Sequence, residues 1–327
     1  MPPCPVCNFS SKKTQVYGKV CYKCTVFFNR MSKKENIRVC KGNHNDFPDD
    51  TRFCQGCRFE KCLNAGMIYK GVERPLDPPD SDTTASNPEL QDLLNVQSNQ
   101  WALHDKYAQS RTFSDPVESF EIDGKQYRRV DQSDINLCLH IGFRNASSWA
   151  NLFESLKNLK MRDKKLIIGE FGIAFLLVDQ AYKSASITDD KTFWFMPNYT
   201  FLCTESKERD QSKFVNDLIE TLKIPFSNLQ IDNVECVILK ALLLFSPSFP
   251  RHPKIQESSE IVQEFMSHLM SYSVEKCPEN GDVRFGEIIL LLGSIRCAVK
   301  SLYNQTRKSG SFDIGSFDNF LRSCFLT

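Results

Sequence analysis

The chain has 327 residues, which is long enough for two domains because single hydrophobic cores rarely grow beyond about 250 residues. Its formal charge of +1 hides an asymmetry: residues 1–75 hold 14 Lys and Arg against 6 Asp and Glu and carry +8, whereas the remainder holds 27 against 34 and carries −7. Such a division argues against one uniform domain and favours a polyanionic partner for the basic N-terminal part.

The cysteines are concentrated near the N-terminus, where eight of the 14 fall within the first 62 residues. No apolar run reaches about 18 residues, and Met1 is followed by Pro2, Pro3 and Cys4, so we expect neither a membrane span nor a secretory signal. In a reducing compartment, paired cysteines hold metal more often than they form disulfides. We therefore expect the N-terminal cysteines to bind metal.

The first cysteine cluster has the spacing C-x2-C-x13-C-x2-C, formed by Cys4, Cys7, Cys21 and Cys24. Each close pair can chelate one side of a tetrahedral ion, and the intervening loop brings the two pairs together. Four thiolates satisfy zinc and leave no open position for catalysis. The spacing predicts a structural zinc site, with four unrelated buried cysteines as the alternative.

The second cluster is less regular, because Cys40, Cys54 and Cys57 are present without a fourth cysteine ligand at a suitable position. Asp46 and His44 are the available substitutes, since carboxylate oxygen and imidazole nitrogen both bind zinc. On chemistry alone, Asp46 and His44 both stay open as the fourth ligand of this site. Cys62, further along, is expected to be a small buried packing residue.

The pattern of these two clusters resembles the DNA-binding domain of nuclear hormone receptors. The segment Cys57–Met67, CRFEKCLNAGM, is similar to the family's C-R-x-x-K-C-L-x-x-G-M, and Phe27–Arg30, FFNR, is similar to its F-F-R-R. The helix start, CYKCTV, resembles the divergent receptors expanded in nematodes more than the steroid receptors. The resemblance implies a small α-rich module with two zinc ions, each zinc site followed by a helix. Asp46 stands where the family usually has a cysteine, so the resemblance favours Asp46 as the fourth ligand of the second site, with His44 as the alternative.

The segment after the second cysteine pair, Tyr22–Lys34, predicts a helix whose inner side carries Phe27, Phe28 and Met31. The expected outer side contains Tyr22, Lys23, Thr25, Val26, Asn29, Arg30 and Lys33. In the major groove of double-stranded DNA, Lys23 is expected to donate to guanine, and Thr25 or Val26 to contact a thymine methyl. Phosphate contacts are expected from the other basic residues: Arg30, Lys33, Lys34, Arg52, Arg58 and Lys61. For each lysine a solvated surface charge is the alternative, whereas Arg30 and Arg58 occupy positions where the resemblance implies arginines that contact the DNA backbone.

A linker and a larger helical region follow. Residues 71–88, GVERPLDPPDSDTTASNP, are rich in proline and small polar residues, and we place the domains at 1–75 and 89–327 with a hinge at 76–88. Long apolar-periodic segments predict an all-α domain, and one short β-hairpin is expected within Thr192–Cys203. The predicted helical segments are roughly 89–109, 147–185, 212–224, 229–245, 255–276 and 283–307.

This larger region resembles the ligand-binding domain of the same family. Trp149-Ala150-Asn151 and the downstream Asp163-Lys164 keep the spacing of the family signature, with Asn151 for the usual lysine. The resemblance implies a helical sandwich around an apolar pocket for a small lipophilic ligand. The pocket residues that it implies are Phe153, Phe171, Phe175 and Trp194, each of which has plain core packing as its alternative.

The C-terminal segment Phe320–Phe325, FLRSCF, resembles the family's activation helix, Φ-Φ-x-E-Φ-Φ, with Ser323 in place of the glutamate. In the family, that glutamate and the signature lysine hold the two ends of a bound LxxLL helix. Because Ser323 and Asn151 replace both charges, we expect weak recruitment of ordinary coactivators. A packed terminal helix without a binding role is the alternative.

No G-x-S-x-G, phosphate-binding glycine loop or H-E-x-x-H motif occurs, and the five histidines are isolated in the sequence, so we expect no enzyme. The resemblance implies a transcription factor of the nuclear hormone receptor type, located in the nucleus, with double-stranded DNA, coregulators and a homo- or heterodimer partner. The competing hypothesis is a zinc-containing interaction protein or corepressor-like orphan that no longer recognises a specific DNA site.

Overall fold

The computed structural model describes residues 4–7, 20–32, 54–65, 67, 88–109, 118–205, 209–248 and 252–306. The chain divides into two compact units, Met1–Phe113 and Ser114–Thr327. Helix α3 (Pro88–Gln109), which the sequence placed at the start of the larger domain, groups with the N-terminal unit. Residues 68–87 lie outside the described part, so the predicted hinge stays a prediction.

The first unit also contains helices α1 (Tyr22–Ser32) and α2 (Gln55–Asn64), which share a small apolar core. The rings of Phe28 on α1 and Phe59 on α2 stack with their centroids 5.1 Å apart. Phe27 and Met31 are buried beside them, which confirms the predicted inner side of α1. Leu103 of α3 belongs to the same core.

The second unit is mainly helical. Its two central helices are α4 (Gln132–Ala150) and α6 (Met161–Ile187), and α6 is buried at almost every position from Ile167 to Ala181. The remaining helical segments are α5 (Glu154–Lys157), α7 (Arg209–Leu218), a π-helical turn (Ile219–Lys223), α8 (Ile224–Asn228), α9 (Asn233–Phe245), α10 (Ser258–Lys276) and α11 (Gly281–Thr306). None of the helices in the described ranges is long and apolar enough to cross a membrane.

The segment 147–185, predicted as one helical segment, contains the end of α4, the short α5 and nearly all of α6. Helix α4 begins at a capping box, in which the Asp131 side chain accepts from the Asp134 backbone and the Asp134 side chain accepts from the Asp131 backbone. It ends with Asn151 as its C-cap, and α6 begins only at Met161. Apolar periodicity continues across this break, which is why it does not reveal the break.

A four-stranded sheet replaces the single predicted hairpin. The strand order is β1 (Ser119–Ile122), β2 (Lys125–Arg129), β4 (Thr200–Cys203) and β3 (Phe193–Met196). The predicted hairpin is the antiparallel pair of β3 and β4, and β2 joins β4 in parallel. The prediction missed the hairpin of β1 and β2, although its turn, Asp123-Gly124, is a common two-residue hairpin sequence. Both turn residues have positive φ, 51° and 71°, as that turn requires.

Candidate functional site

The four cysteines of the first cluster converge in space. Their Sγ atoms all lie within 4.8 Å of one another, and the Sγ atoms of Cys7 and Cys21 are 3.6 Å apart. Zinc–sulfur bonds of about 2.3 Å in a tetrahedron require sulfurs roughly 3.8 Å apart. The donor set and its size therefore fit one zinc ion held by Cys4, Cys7, Cys21 and Cys24.

Local backbone structure positions these ligands. Cys21 directly precedes α1, Cys24 lies in its first turn, and the Cys24 and Thr25 backbone amides both donate to the Cys21 carbonyl. The Cys21 amide donates to the Cys4 Sγ at 3.4 Å, which joins the N-terminal pair to the start of the helix. Helix α1 therefore takes its position from the metal site.

The thiols in this core differ in acidity. Burial raises the pKa of Cys4, but hydrogen bonds from the backbone of Cys21, Cys7 and Val6 outweigh it and lower the pKa to about 7. Burial raises the pKa of Cys24 well above its usual range, although Arg58 opposes this. Burial also raises the pKa of Cys62 to about 12, in keeping with a packing role. Binding a metal must therefore displace protons from thiols such as Cys24.

The second metal cluster is described only in part. Cys54 precedes α2 and is half-buried, and Cys57 in its first turn is buried. Cys40, Asp46 and the alternative ligand His44 lie outside the described residues. The second zinc site therefore stays a prediction.

Among the described side chains of α1, three residues of the predicted outer side are exposed and one is buried. Lys23 and Arg30 are exposed, and Val26 between them is 47% exposed. Their spacing of three and four residues places them along one face of the helix. Thr25 differs from the prediction: it is 4% exposed, and its hydroxyl donates to the Cys21 carbonyl at 3.3 Å. Tyr22 begins the helix without a described side chain, and Lys33 lies outside the described residues.

Arg58, which was expected to contact a phosphate, is half-buried and contacts α1. Its Nη2 donates to the Cys24 Sγ at 3.3 Å and lies 3.5 Å from the Lys23 carbonyl oxygen. Its guanidinium carbon lies 4.4 Å from the centroid of the Phe27 ring. Nothing local to the C-R-x-x-K-C motif indicates these contacts, because the partners lie more than 30 residues away.

The second unit contains an apolar cavity of about 50 Å³. Residues from α4, α6, α7, α11, β3 and β4 line it, among them Leu176, Gln180 and Trp194. The Trp194 indole Nε1 donates to the Gln180 Oε1 at 2.9 Å, so this amide oxygen is already engaged. Among the predicted pocket residues, Trp194 lines the cavity.

The other three predicted pocket residues belong to an aromatic cluster. Phe153, Phe171 and Phe175 each pack against Trp149, with ring centroids 5.8 to 6.0 Å apart. All four side chains are buried. The arrangement matches core packing, which was the alternative interpretation of these aromatics. Of the predicted coactivator residues, Asn151 is exposed at the end of α4, and Ser323 lies outside the described residues.

A four-cysteine metal site at the start of a helix, followed by a mostly helical unit with a small apolar cavity, matches the receptor-type organisation that the sequence predicts. A family model for the ligand-binding domain of nuclear hormone receptors matches residues 120–312, and one for the C4-type double treble clef zinc finger matches residues 2–69. The chain belongs to the nuclear hormone receptor family. Because members of this family are transcription factors, the prediction that the chain is no enzyme is confirmed.

Similar proteins include receptors from nematodes and vertebrates. Nuclear hormone receptor family member nhr-69 of Caenorhabditis elegans is 23% identical, with 99% of this chain and 90% of that protein covered. Hepatocyte nuclear factor 4-gamma of Mus musculus is 22% identical, with 99% and 77% covered. The similarity spans both units and is consistent with the predicted divergent, nematode-type receptor.

Proposed function

We propose that the protein is a nuclear transcription factor that binds double-stranded DNA through the outward face of α1. The observation that carries the proposal is the continuity between the zinc site and this face: Cys21 and Cys24 fix the start of the helix that exposes Lys23, Val26 and Arg30. A helix of this size fits the major groove. Lys23 and Val26 are assigned to base edges, and Arg30 to the phosphate backbone.

Selection from a random duplex library by the full-length protein tests this assignment. Arg30→Ala should weaken binding to all sequences alike and reduce the salt dependence, because it removes a phosphate contact. Lys23→Ala should change the selected sequence instead. Thr25→Ala, at a buried position, is the matched control and should leave the consensus unchanged.

Salt-dependent binding without any selected consensus would contradict specific recognition. It would favour the competing hypothesis of a zinc-containing interaction protein. A consensus that is identical for the unmodified protein and Lys23→Ala would remove Lys23 from the base-contacting set.

We further propose that the second unit responds to a small lipophilic ligand and to a second receptor chain. The cavity of about 50 Å³ is far below the roughly 300 Å³ of ordinary ligand sites, so side chains such as Leu176 must move for a ligand to enter. A dimer partner is assigned to α11, where Val283 and Leu290 are exposed at a spacing of seven residues. Leu290 is 74% exposed and Val283 is 56% exposed.

Coregulator binding is proposed to be weak for ordinary LxxLL helices. Asn151 is exposed but carries no charge for the last carbonyls of a bound helix, and Ser323 carries none for its first amides. Losing both charges should weaken binding by about one to two orders of magnitude. Fluorescence anisotropy should detect tighter LxxLL peptide binding to Asn151→Lys/Ser323→Glu. Tight, leucine-dependent binding by the unmodified protein would contradict the proposal.

A further inference from the structure

Arg58 of α2 contacts α1 at three points. Its guanidinium donates to a zinc-site sulfur, Cys24 Sγ, at 3.3 Å, and the same Nη2 is 3.5 Å from the Lys23 carbonyl. The flat face of the group lies over Phe27 at 4.4 Å. A sulfur, a carbonyl and an aromatic ring therefore fix the orientation of one half-buried arginine.

The chemistry of the sulfur makes this contact important for the metal. A zinc ion with four thiolates carries a net charge of −2, and Cys24 is completely buried within the site. A positively charged donor stabilises a thiolate acceptor more than a neutral donor does. Outer groups that hydrogen-bond to ligands orient them and tune metal affinity.

We propose that Arg58 is a positioning residue of the first zinc site, which acts by holding the Cys24 sulfur. The same guanidinium contacts the Lys23 carbonyl and so holds α2 against the first turn of α1. One side chain therefore contacts both a zinc-site sulfur and the backbone of the residue that begins the outward face. The proposal concerns zinc binding and does not depend on the proposed DNA recognition.

The test measures the metal affinity of the full-length protein by competition with a chelator. Cobalt is loaded first because its absorption spectrum distinguishes the four-thiolate first site from a site with three thiolates. Zinc is then added, and its displacement of cobalt reports zinc binding at the first site. Arg58→Met keeps an apolar side chain over Phe27 but loses the charged donor, and its first site should bind zinc about 10- to 100-fold more weakly. Arg58→Lys keeps a charge without the planar group and should lose less.

Arg30→Met is the matched control, because Arg30 is an exposed arginine on α1. It should leave zinc affinity unchanged while weakening binding to a labelled random-sequence duplex. Zinc affinity of a folded Arg58→Met equal to that of the unmodified protein would overturn the proposal. A loss of duplex binding as large as in Arg30→Met would then assign Arg58 to a phosphate contact.

If Arg58→Met does not fold, the zinc affinity of Arg58→Lys tests the proposal in its place. Helicity at saturating zinc identifies such a failure. In that case, weaker zinc binding by Arg58→Lys with normal helicity supports the proposal, and zinc binding equal to that of the unmodified protein refutes it. Zinc affinity can be measured even if the protein binds no duplex at all. Failure of the proposed DNA binding can therefore be distinguished from failure of the proposed role of Arg58.

Discussion

The two units differ in how they stabilise their interiors. In the first, α1 and α2 share a small core with Phe28 and Phe59 among its buried members. The buried cysteines of this core are the zinc-site residues Cys4, Cys21 and Cys24, together with Cys62. In the second, α6 is surrounded by apolar side chains along most of its length. The second unit also buries ion pairs, such as Lys240 with Asp179 at 2.5 Å and Arg284 with Glu235 at 2.7 Å.

This difference follows from size. A small module buries too little apolar area to fold by that alone, so metal coordination supplies much of its folding free energy. A larger unit buries more apolar area and tolerates buried charges, whose desolvation can cost more than their attraction returns. The comparison predicts that metal ligands dominate the stability of the first unit, and that paired charges in the second matter mainly when one partner is lost.

Loss of a zinc ligand should have the largest effect. Cys21→Ser should unfold the first unit, because zinc binding contributes on the order of 10 kcal/mol to folding in small zinc modules. Hydrogen–deuterium exchange of the full-length protein should show loss of protection in α1 and α2, with α6 and α9 unchanged. Cys297→Ser, at an exposed cysteine of α11, is the control and should change neither unit. Retained protection of α1 in Cys21→Ser would break the comparison.

The buried pair of the second unit should have the next largest effect. Lys240→Met leaves the Asp179 carboxylate buried without its cation and should lower the free energy of unfolding by about 3–5 kcal/mol. Asp179→Leu/Lys240→Met removes both charges and should be close to the unmodified protein or more stable. Urea unfolding followed by fluorescence measures both.

An exposed pair gives the matched control for this measurement. Lys157→Met removes the partner of Glu154, whose side chain is 2.8 Å away and exposed, and should cause no measurable change. A double variant as unstable as Lys240→Met would mean that the apolar replacements, rather than the isolated charge, cause the loss.

Features encoded by short-range spacing were predictable from sequence. The first zinc site depends on cysteines that are close together in the chain, and the structure brings together all four predicted ligands. The inner side of α1 follows from helical periodicity, and the Asp123-Gly124 turn could have revealed the missed hairpin. Periodicity does not identify every residue of the outer side of α1. Thr25 was predicted there, but its hydroxyl donates to the Cys21 carbonyl and its side chain is buried.

Contacts between distant segments were not predictable. Arg58 and Cys24 are 34 residues apart, and Lys240 and Asp179 are 61 apart. Periodicity identifies which face of a helix is apolar, but it does not identify the helix that packs there. The cavity likewise depends on how six helices and strands pack together. The sequence therefore does not show whether an aromatic residue such as Phe171 lines the cavity or packs against Trp149, as it does in the structure.

Two glycines test how closely the helices of the second unit approach each other. A Cβ added to Gly142 of α4 would lie 2.2 Å from Cγ of Leu176 on α6, whereas one added to Gly293 of α11 would meet nothing within 4 Å. Alanine is the better helix former by about 1 kcal/mol. Gly293→Ala should therefore raise the free energy of unfolding by up to about 1 kcal/mol. Gly142→Ala should lower it by about 1–3 kcal/mol, because overpacking outweighs helix propensity.

The measurement uses urea unfolding in a Trp101→Phe background, so that Trp149 and Trp194, both buried in the second unit, report its transition. Leu176 lines the cavity and is the side chain that must yield to a methyl group at position 142. Leu176→Ala removes the clashing atom, so Gly142→Ala should cost less in that background than in the unmodified protein, a coupling expected for residues in contact. Equal stabilisation by Gly142→Ala and Gly293→Ala would show that α4 and α6 do not meet at this glycine, and the close packing that distinguishes the second unit from the metal-held first unit would have to be abandoned.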